Sequence, residues 1–534
     1  MKTKTMKRLK NQFLHLIVPA FVFGSLTGIL TALTVTLYKL CAHHVISWSE
    51  QGYHYLSEHL YLIPAVLLVL LAIALLFAWI YKGTPNLRGG GIPTSIGILR
   101  GVFSFKWLRN LFGIFFLSLT TFLLGVPLGN EGPAVQMGTA VGRGSVFSFA
   151  KKHRAWDRYS MTAGACAGFA TATGAPLSGI VFAIEEAHQR ISSMIVIVSA
   201  TSVLFARLTS EILEAAFGIG TALFPKFSLP VLDVRQAWLP AVIGIAVGLF
   251  AVLFLKYYRL VFAFFSTLLR KIPHGIKIFM IFTATLLLGL CSYSFISTGH
   301  HLILELLDGK IALWMLFLLL IVRSTLTLSA NSNGVTGGLF IPIMALGALV
   351  SSILGKGLSF AVGEELYPMI LVLGITACIS GMMKTPITAI LFAVEALGCH
   401  ENLLPAVIAA SLAFVIPELF EADSINEVVL ERRTEEINSC AEPKVYDTYV
   451  TVMEGSFAVG KQIRDIFWPT NLFVLSVKHD TKHRAEVDQH GGRDIRIGDI
   501  LHVRYSTCDE AETRAQLTAI VGAQDYHENE IHNI

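Results

Sequence analysis

GAPLSGIVFAIEEA, residues 174–187, returns 210 positions later as KTPITAILFAVEAL, residues 384–397. The two stretches coincide at Pro176/Pro386, Ile180/Ile390, Phe182/Phe392, Ala183/Ala393 and Glu185/Glu395. Upstream, GPAVQMGTAV (132–141) and IPIMALGALV (341–350) agree at Pro133/Pro342, Gly138/Gly347 and Val141/Val350, with an offset of 209. Two blocks at nearly one separation predict an internal duplication with interrupted helices in both halves, a common membrane-transporter plan. The repeat alone leaves open whether the halves are inverted or parallel.

The chain around this repeat is apolar. Of its 534 residues, 54% are hydrophobic and 15% charged, against about 25% charged in an ordinary soluble domain. Residues 60–80, LYLIPAVLLVLLAIALLFAWI, carry no charge and reach the roughly 20 residues that a bilayer core demands. Further apolar runs lie near 14–37, 110–128, 192–205, 237–255, 277–297, 311–322 and 403–419, so an all-α polytopic membrane protein is expected. The first run follows the basic flank MKTKTMKRLK without a small-residue cleavage site. It reads as a retained helix with a cytoplasmic N-terminus. A net charge of +4, scattered near segment ends, gives nucleic-acid binding no support. Seven cysteines and seventeen histidines show no metal-ligand or disulfide spacing, and no nucleophile–base pattern suggests an enzyme. Neither metal nor cofactor is expected.

Composition changes near residue 420. The remaining stretch of roughly 110 residues is charged and mixed, enough for one small domain. NLFVLSVKHD and DILHVRYST alternate as half-buried strands, SFAVGKQIRDIF reads as a short helix, and Gly498-Asp499 reads as a turn. A small cytoplasmic α+β domain is predicted to follow the membrane part.

Three glycine-rich interruptions carry the chemistry: RGGGIPTSIG (88–97), LGNEGPAVQMG (128–138) and NGVTGGLFIPIMALG (333–347). Each has glycine, then proline within a few residues, then an apolar stretch with small residues, the signature of a helix start entered through flexible backbone. Irregular backbone at membrane depth is tolerated where protein covers it or where it lines a cavity. Helix starts present unpaired N–H groups and partial positive charge. Several converging starts would hold an anion without a fixed full charge, attracting it yet letting it leave. Close helix packing through small residues is the alternative use of each break.

Glu131 sits inside the second break, with no cation in the flanking sequence before Arg143. A carboxylate at membrane depth is expensive and a functional candidate by default. Beside helix starts it can occupy the anion site itself and leave when protonated or displaced. The Glu185–Glu186 pair closes the helical stretch PLSGIVFAI, where a carboxylate could pass protons between water and the interior.

Together the breaks, the GIVFAIEE helix end and the repeat resemble the CLC family of chloride channels and anion/proton antiporters. The family's approximate signatures GSGIP, GREGP and GxFxP stand here as Gly89-Gly90-Gly91-Ile92-Pro93, Gly129-Asn130-Glu131-Gly132-Pro133 and Gly338-Leu339-Phe340-Ile341-Pro342. The resemblance spans roughly residues 12–433 and implies a helical fold of antiparallel, inverted halves, assembled as a homodimer with one anion pathway per subunit. By it, Glu131 matches the external gating glutamate, Glu186 the internal glutamate of proton-coupled members, and Leu339 and Phe340 the residues whose N–H groups face the central anion. It implies proton-coupled anion antiport, with a passive voltage- or pH-gated chloride channel as the alternative.

The chain departs from the family pattern at three positions. Gly90 replaces the serine whose hydroxyl contacts the anion, Asn130 replaces the usual arginine, and Asn426 falls where the pore tyrosine is expected. The candidate anion-binding set is Gly90, Gly91, Ile92, Asn130, Gly132, Leu339, Phe340, Thr336 and Asn426, with backbone amides dominant. A fluoride-exporting branch shares the asparagine and lacks the serine, so the anion is chloride or fluoride. Chloride is favoured by the presence of Glu186 and the absence of methionine at position 90. The tail from 443 to 523 resembles the TrkA-C (RCK-C) regulatory module, which binds small ligands. Expected domains are therefore residues 1–433 for anion transport and 443–523 for regulation, in a bacterial inner membrane with both termini cytoplasmic.

Overall fold

The computed structural model describes residues 17–89, 91–149, 154–218, 220, 223–225, 227–358, 363–437, 444–481, 484–488, 494–507, 509–523 and 529–530. Gly90 and the basic N-terminal flank lie outside the described residues. The first half contains helices α1 (Val18–Glu58), α2 (Ile63–Gly83), α3 (Ile92–Leu99), α4 (Trp107–Leu123), α5 (Glu131–Phe149), α6 (Asp157–Thr173), α7 (Pro176–Phe182) and α8 (Ser193–Phe217). The second continues with α9 (Trp238–Ala263), α10 (His274–Cys291), α11 (His300–Leu307), α12 (Leu313–Ser332), α13 (Phe340–Gly357), α14 (Tyr367–Met383), α15 (Pro386–Ala396), α16 (Leu403–Leu419) and α17 (Ile425–Ile437).

Among the described residues, seven helices are long and apolar enough to cross a membrane. Six coincide with apolar runs in the sequence; the seventh is α13, opened by the third break. The apolar run 403–419 forms α16, at 17 residues a shorter helix. Helix α6 gave no apolar run because it is built from Gly, Ala, Ser and Thr and is buried along nearly its whole length. A helix that faces protein rather than lipid needs small residues, not hydropathy.

The repeat is physical. Gly138 of α5 lies so close to α6 that a Cβ there would sit 2.0 Å from the Gly164 carbonyl oxygen. Its repeat mate Gly347 of α13 would place one 2.7 Å from the Gly374 carbonyl oxygen of α14. Helices α7 and α15 then lock the halves together. Glu185, just past the end of α7, accepts the N–H groups of Ile387 (3.0 Å) and Thr388 (2.7 Å) at the start of α15. Glu395, near the end of α15, accepts those of Leu177 (2.9 Å) and Ser178 (3.0 Å) at the start of α7. Each helix ends on the other's beginning, so the two run antiparallel. Repeat mates that run antiparallel make the halves inverted.

The C-terminal domain is a five-stranded sheet of order β3-β2-β4-β1-β5. Its strands are β1 (Lys444–Thr451), β2 (Leu472–Thr481), β3 (Arg484–Asp488), β4 (Ile500–Thr507) and β5 (Asn529–Glu530), with helix α18 (Glu510–Val521) after β4. The two alternating stretches are β2 and β4, and Gly498 takes φ 83° in the turn before β4. The expected helix over SFAVGKQIRDIF is not formed. Only a single 3-10 turn, Ile463–Asp465, interrupts an irregular segment there. Gly460 at φ 78° breaks the backbone, and the apolar residues face two partners, Ile466 the domain core and Phe467 the membrane-domain core. A helix would have presented them along one face.

Two tests follow from this framework. Glu185→Gln and Glu395→Gln should each lower thermal stability in detergent by about 1 kcal/mol, the scale of a lost helix cap; a loss confined to one of them would contradict the reciprocal pairing. In the sheet, Asp447 is partly buried, which opposes its charge, but hydrogen bonds from Arg504 (2.7 Å) and His502 hold its carboxyl below the ordinary range. A depressed carboxyl stabilises the fold above the unfolded value, about 4, and that contribution disappears as pH falls through the folded value. Protection of the β1 and β4 amides, measured relative to their intrinsic exchange rates, should therefore fall on acidification below about pH 4, and Asp447→Asn should remove that acid step.

Candidate functional site

The three breaks converge. Gly129 and Gly338, repeat mates at an offset of 209, form an antiparallel bridge in which each N–H donates to the other's carbonyl at 2.7 Å. Gly89 donates to the Gly334 carbonyl at 2.7 Å. A Cβ on Gly91 would meet Gly132 Cα at 2.8 Å, and one on Gly132 would meet Gly338 Cα at 2.7 Å. Any side chain larger than hydrogen at Gly132 would push the helix starts apart, so glycine is required by contact.

Helices α3, α5 and α13 begin at this junction, each with proline in its first turn. Among the described residues, the N–H groups of Gly132, Leu339, Phe340 and Ile341 meet no backbone carbonyl. They are the orphan donors that every helix start leaves, here gathered in a buried place. Leu339 and Phe340 are both buried, the Phe340 ring edge-on to Phe169 and Phe392 at 5.2 and 5.3 Å.

Glu131 is fully buried at the same junction. Its side chain folds back over the second break, so that a Cβ on Gly129 would lie 2.7 Å from Glu131 Oε2. The backbone amides of Glu131 and Ile341 favour its charged form, yet among the described residues neither carboxylate oxygen closes a well-formed hydrogen bond. The carboxylate therefore stands among amide donors without being fastened to them. The fold also supplies the cation that the flanking sequence lacks: Lys39 of α1, donating to Thr171 O at 3.1 Å, lies within electrostatic reach of Glu131. Its signal was a lone lysine in the first long apolar helix. Arg143 is three turns further along α5 and pairs with Asp157 at 3.5 Å.

Other expected site residues are placed differently. The Gly91 N–H is taken by Gln136 Oε1 at 2.6 Å, and Gln136 Nε2 donates to Asn86 O (2.9 Å) and Asn110 Oδ1 (3.1 Å). Gln136, a polar side chain inside α5, thus fixes the entry to α3, a role missed from sequence despite its place in PAVQMG. Ile92 is buried as the first residue of α3. The Thr336 hydroxyl donates to Leu87 O at 2.8 Å and accepts from Tyr81 at 2.7 Å, so it ties the third break to the first. Asn130 accepts Ala134 N–H through its carbonyl, and its buried Oδ1 has no hydrogen-bond partner among the described residues.

Asn426 is joined to Glu186. Its Nδ2 donates to Glu186 Oε1 at 2.9 Å, and both side chains are buried. Glu186 belongs to a π-helical turn, Ala183–His188, which extends α7; such turns concentrate at functional sites. Arg100 clamps the turn from outside, donating to the carbonyls of Ala187 (3.0 Å) and Glu186 (3.2 Å) while pairing with Glu427 at 2.6 Å. Helix α17 connects the two clusters: Asn426 touches Glu186, and Arg433 reaches Thr94 of α3 and Pro85 O. Glu185, adjacent to Glu186, is committed to capping α15.

The chain resembles known proteins over most of this architecture. It is 28% identical over 446 residues to the H(+)/Cl(-) exchange transporter ClcA of Vibrio vulnificus (strain YJ016), covering 80% of this chain and 93% of that protein. The ClcA of Vibrio parahaemolyticus serotype O3:K6 is 27% identical over 425 residues, covering 77% and 89%. Its fold matches a slow cyanobacterial Cl-/H+ antiporter with a TM-score of 0.69 at 24% identity, over 78% of this chain and 99% of the other. A CLC-type fluoride/proton antiporter matches with a TM-score of 0.62 at 20% identity, over 76% and 96%. The voltage gated chloride channel family model matches residues 69–418, which include all three breaks, Glu131 and Glu186; the chain belongs to that family, the CLC proteins.

Proposed function

We propose that this protein is a proton-coupled anion antiporter that exchanges chloride for protons across a bacterial inner membrane. The observation that carries the reading is Glu131: a fully buried carboxylate that closes no well-formed hydrogen bond among the described residues, set at the junction of helix starts whose first amides meet no backbone carbonyl there. Ionised, it competes with a permeating anion for the same partial charges. Protonated, it has no charge to place there, and the anion takes the site. A side chain that exchanges with the anion and returns with a proton couples the two fluxes. Glu186, buried at the other cluster and held by Asn426, is the second proton station, on the cytoplasmic side. Both Vibrio relatives are named as H(+)/Cl(-) exchange transporters, which supports the reading.

Chloride is the proposed anion, bound by the amides of Leu339, Phe340 and Gly132, with Gly91 and Ile92 shaping the wall. Asn130 leaves fluoride as the competing substrate. In the same proposal the protein is a homodimer in lipid with cytoplasmic termini, residues 1–433 carry transport, and residues 443–523 form a TrkA-C-like regulatory domain for a small ligand. A passive channel, in which Glu131 only gates, is the second reading.

Purified protein in vesicles under an imposed pH gradient should drive chloride uphill; absence of pH-driven flux would favour the channel. Glu131→Gln and Glu186→Gln should each cut proton movement to about a tenth or less, at least 1.4 kcal/mol on the barrier, while anion flux persists. Flux measured in parallel with chloride, fluoride and nitrate assigns the anion, and a clear fluoride preference would displace chloride.

A further inference from the structure

The segment between β1 and β2 leaves its own domain and docks on the turn that carries Glu186. Phe467 is the centre of this contact and is 7% exposed. Its ring lies 4.4 Å from that of Tyr159 and 4.6 Å from that of His188, centroid to centroid. Arg158 and Arg190 each hold a guanidinium against it, at 5.0 and 4.7 Å. The backbone around it is pinned as well. Phe467 N–H donates to the Tyr159 hydroxyl at 3.3 Å, and that hydroxyl donates to Asp465 O. Arg158 donates to Trp468 O at 2.7 Å, Ser192 to Asp465 Oδ1 at 3.0 Å, and Thr470 to Arg100 O at 3.1 Å.

The turn beneath needs such support. It is a π-helical turn ending at His188, followed by Gln189 in the left-handed region at φ 51°. Conformations of this kind persist where the surroundings over-determine them. His188 is held to Thr162 at 2.8 Å on one side and faces the Phe467 ring on the other. Arg100, which grips the Glu186 and Ala187 carbonyls, is itself tied to the segment through Thr470. Without the ring, Arg158 and Arg190 lose the π-face that lies against each of them, and their like charges are left to push the 188–192 stretch off α6.

We infer that Phe467, supplied by the C-terminal domain, is a positioning residue for Glu186, so that docking of this domain sets how tightly proton movement is coupled to anion movement. The inference rests on Glu186 being a proton station, as proposed above.

The test uses the full chain in vesicles, with chloride and proton fluxes measured together for Phe467→Ala, Phe467→Tyr, Arg190→Gln and Glu186→Gln. Phe467→Ala should keep chloride flux and lower the proton-to-chloride ratio by about threefold or more, within the range of mutational coupling effects. Phe467→Tyr keeps the ring and should restore the ratio. Arg190→Gln, which removes one cation and leaves the apolar contacts, should give a smaller loss and serves where the alanine variant does not fold. Hydrogen exchange in 183–192 should rise in the same order. An unchanged ratio in Phe467→Ala or Arg190→Gln, beside lost proton movement in Glu186→Gln, overturns the positioning role. Proton movement intact in Glu186→Gln overturns instead the proton-station reading, and this inference with it.

Discussion

Gly129 and Gly338 exchange two hydrogen bonds of 2.7 Å, and the helix starts of the membrane part are arranged around that bridge. The two residues occupy the same place in the two halves, so the bridge is a point where the repeat meets itself. Pairing two loop carbonyls and two loop amides at membrane depth removes four polar groups that lipid could not satisfy. It also fixes α5 and α13 as helices that begin side by side. Their remaining first-turn amides, which among the described residues meet no backbone carbonyl, add partial positive charge at this junction from backbone dipoles.

Around this junction, polar side chains divide into those that close the scaffold and those left over. Gln136 and Thr336 belong to the first kind, since all their evident hydrogen-bonding capacity is used on Gly91, Asn86, Asn110, Leu87 and Tyr81. Glu131 belongs to the second. Among the described residues its buried carboxylate is bonded squarely to none of the nearby donors, which suits it to moving between positions, because little has to be broken when it leaves. The neighbouring pair Glu185 and Glu186 shows the same division within one turn: the first caps α15, the second faces Asn426.

Much of this was legible in the chain. The repeat at 174–187 and 384–397, the three glycine–proline breaks as helix starts, the apolar spans and the two strands of the tail all emerge as expected. The misses share one cause. Residues 456–467 have a helical pattern, yet their apolar side chains serve two different bodies, a demand that periodicity within one segment does not express. Asn426, which the family resemblance places at the pore tyrosine's position, donates to Glu186, and Lys39 acts electrostatically on Glu131 from about 90 residues away. Contacts between segments far apart in sequence decide such placements.

Sequence by itself determined that the chain spans a membrane, that its two halves repeat, and that helices start at three glycine-rich points. Those are consequences of local composition: apolar length, recurrence, and the backbone freedom of glycine before proline. The repeat by itself left the direction of the halves open and the family resemblance implied inversion; the crossed caps of Glu185 and Glu395 supply its physical basis, the antiparallel run of α7 and α15. Tertiary structure alone decided which polar groups are already satisfied and which remain available, and that the tail reaches back to the turn holding Glu186. Hydrogen-bond satisfaction is a property of three-dimensional neighbours, and no single segment carries that information.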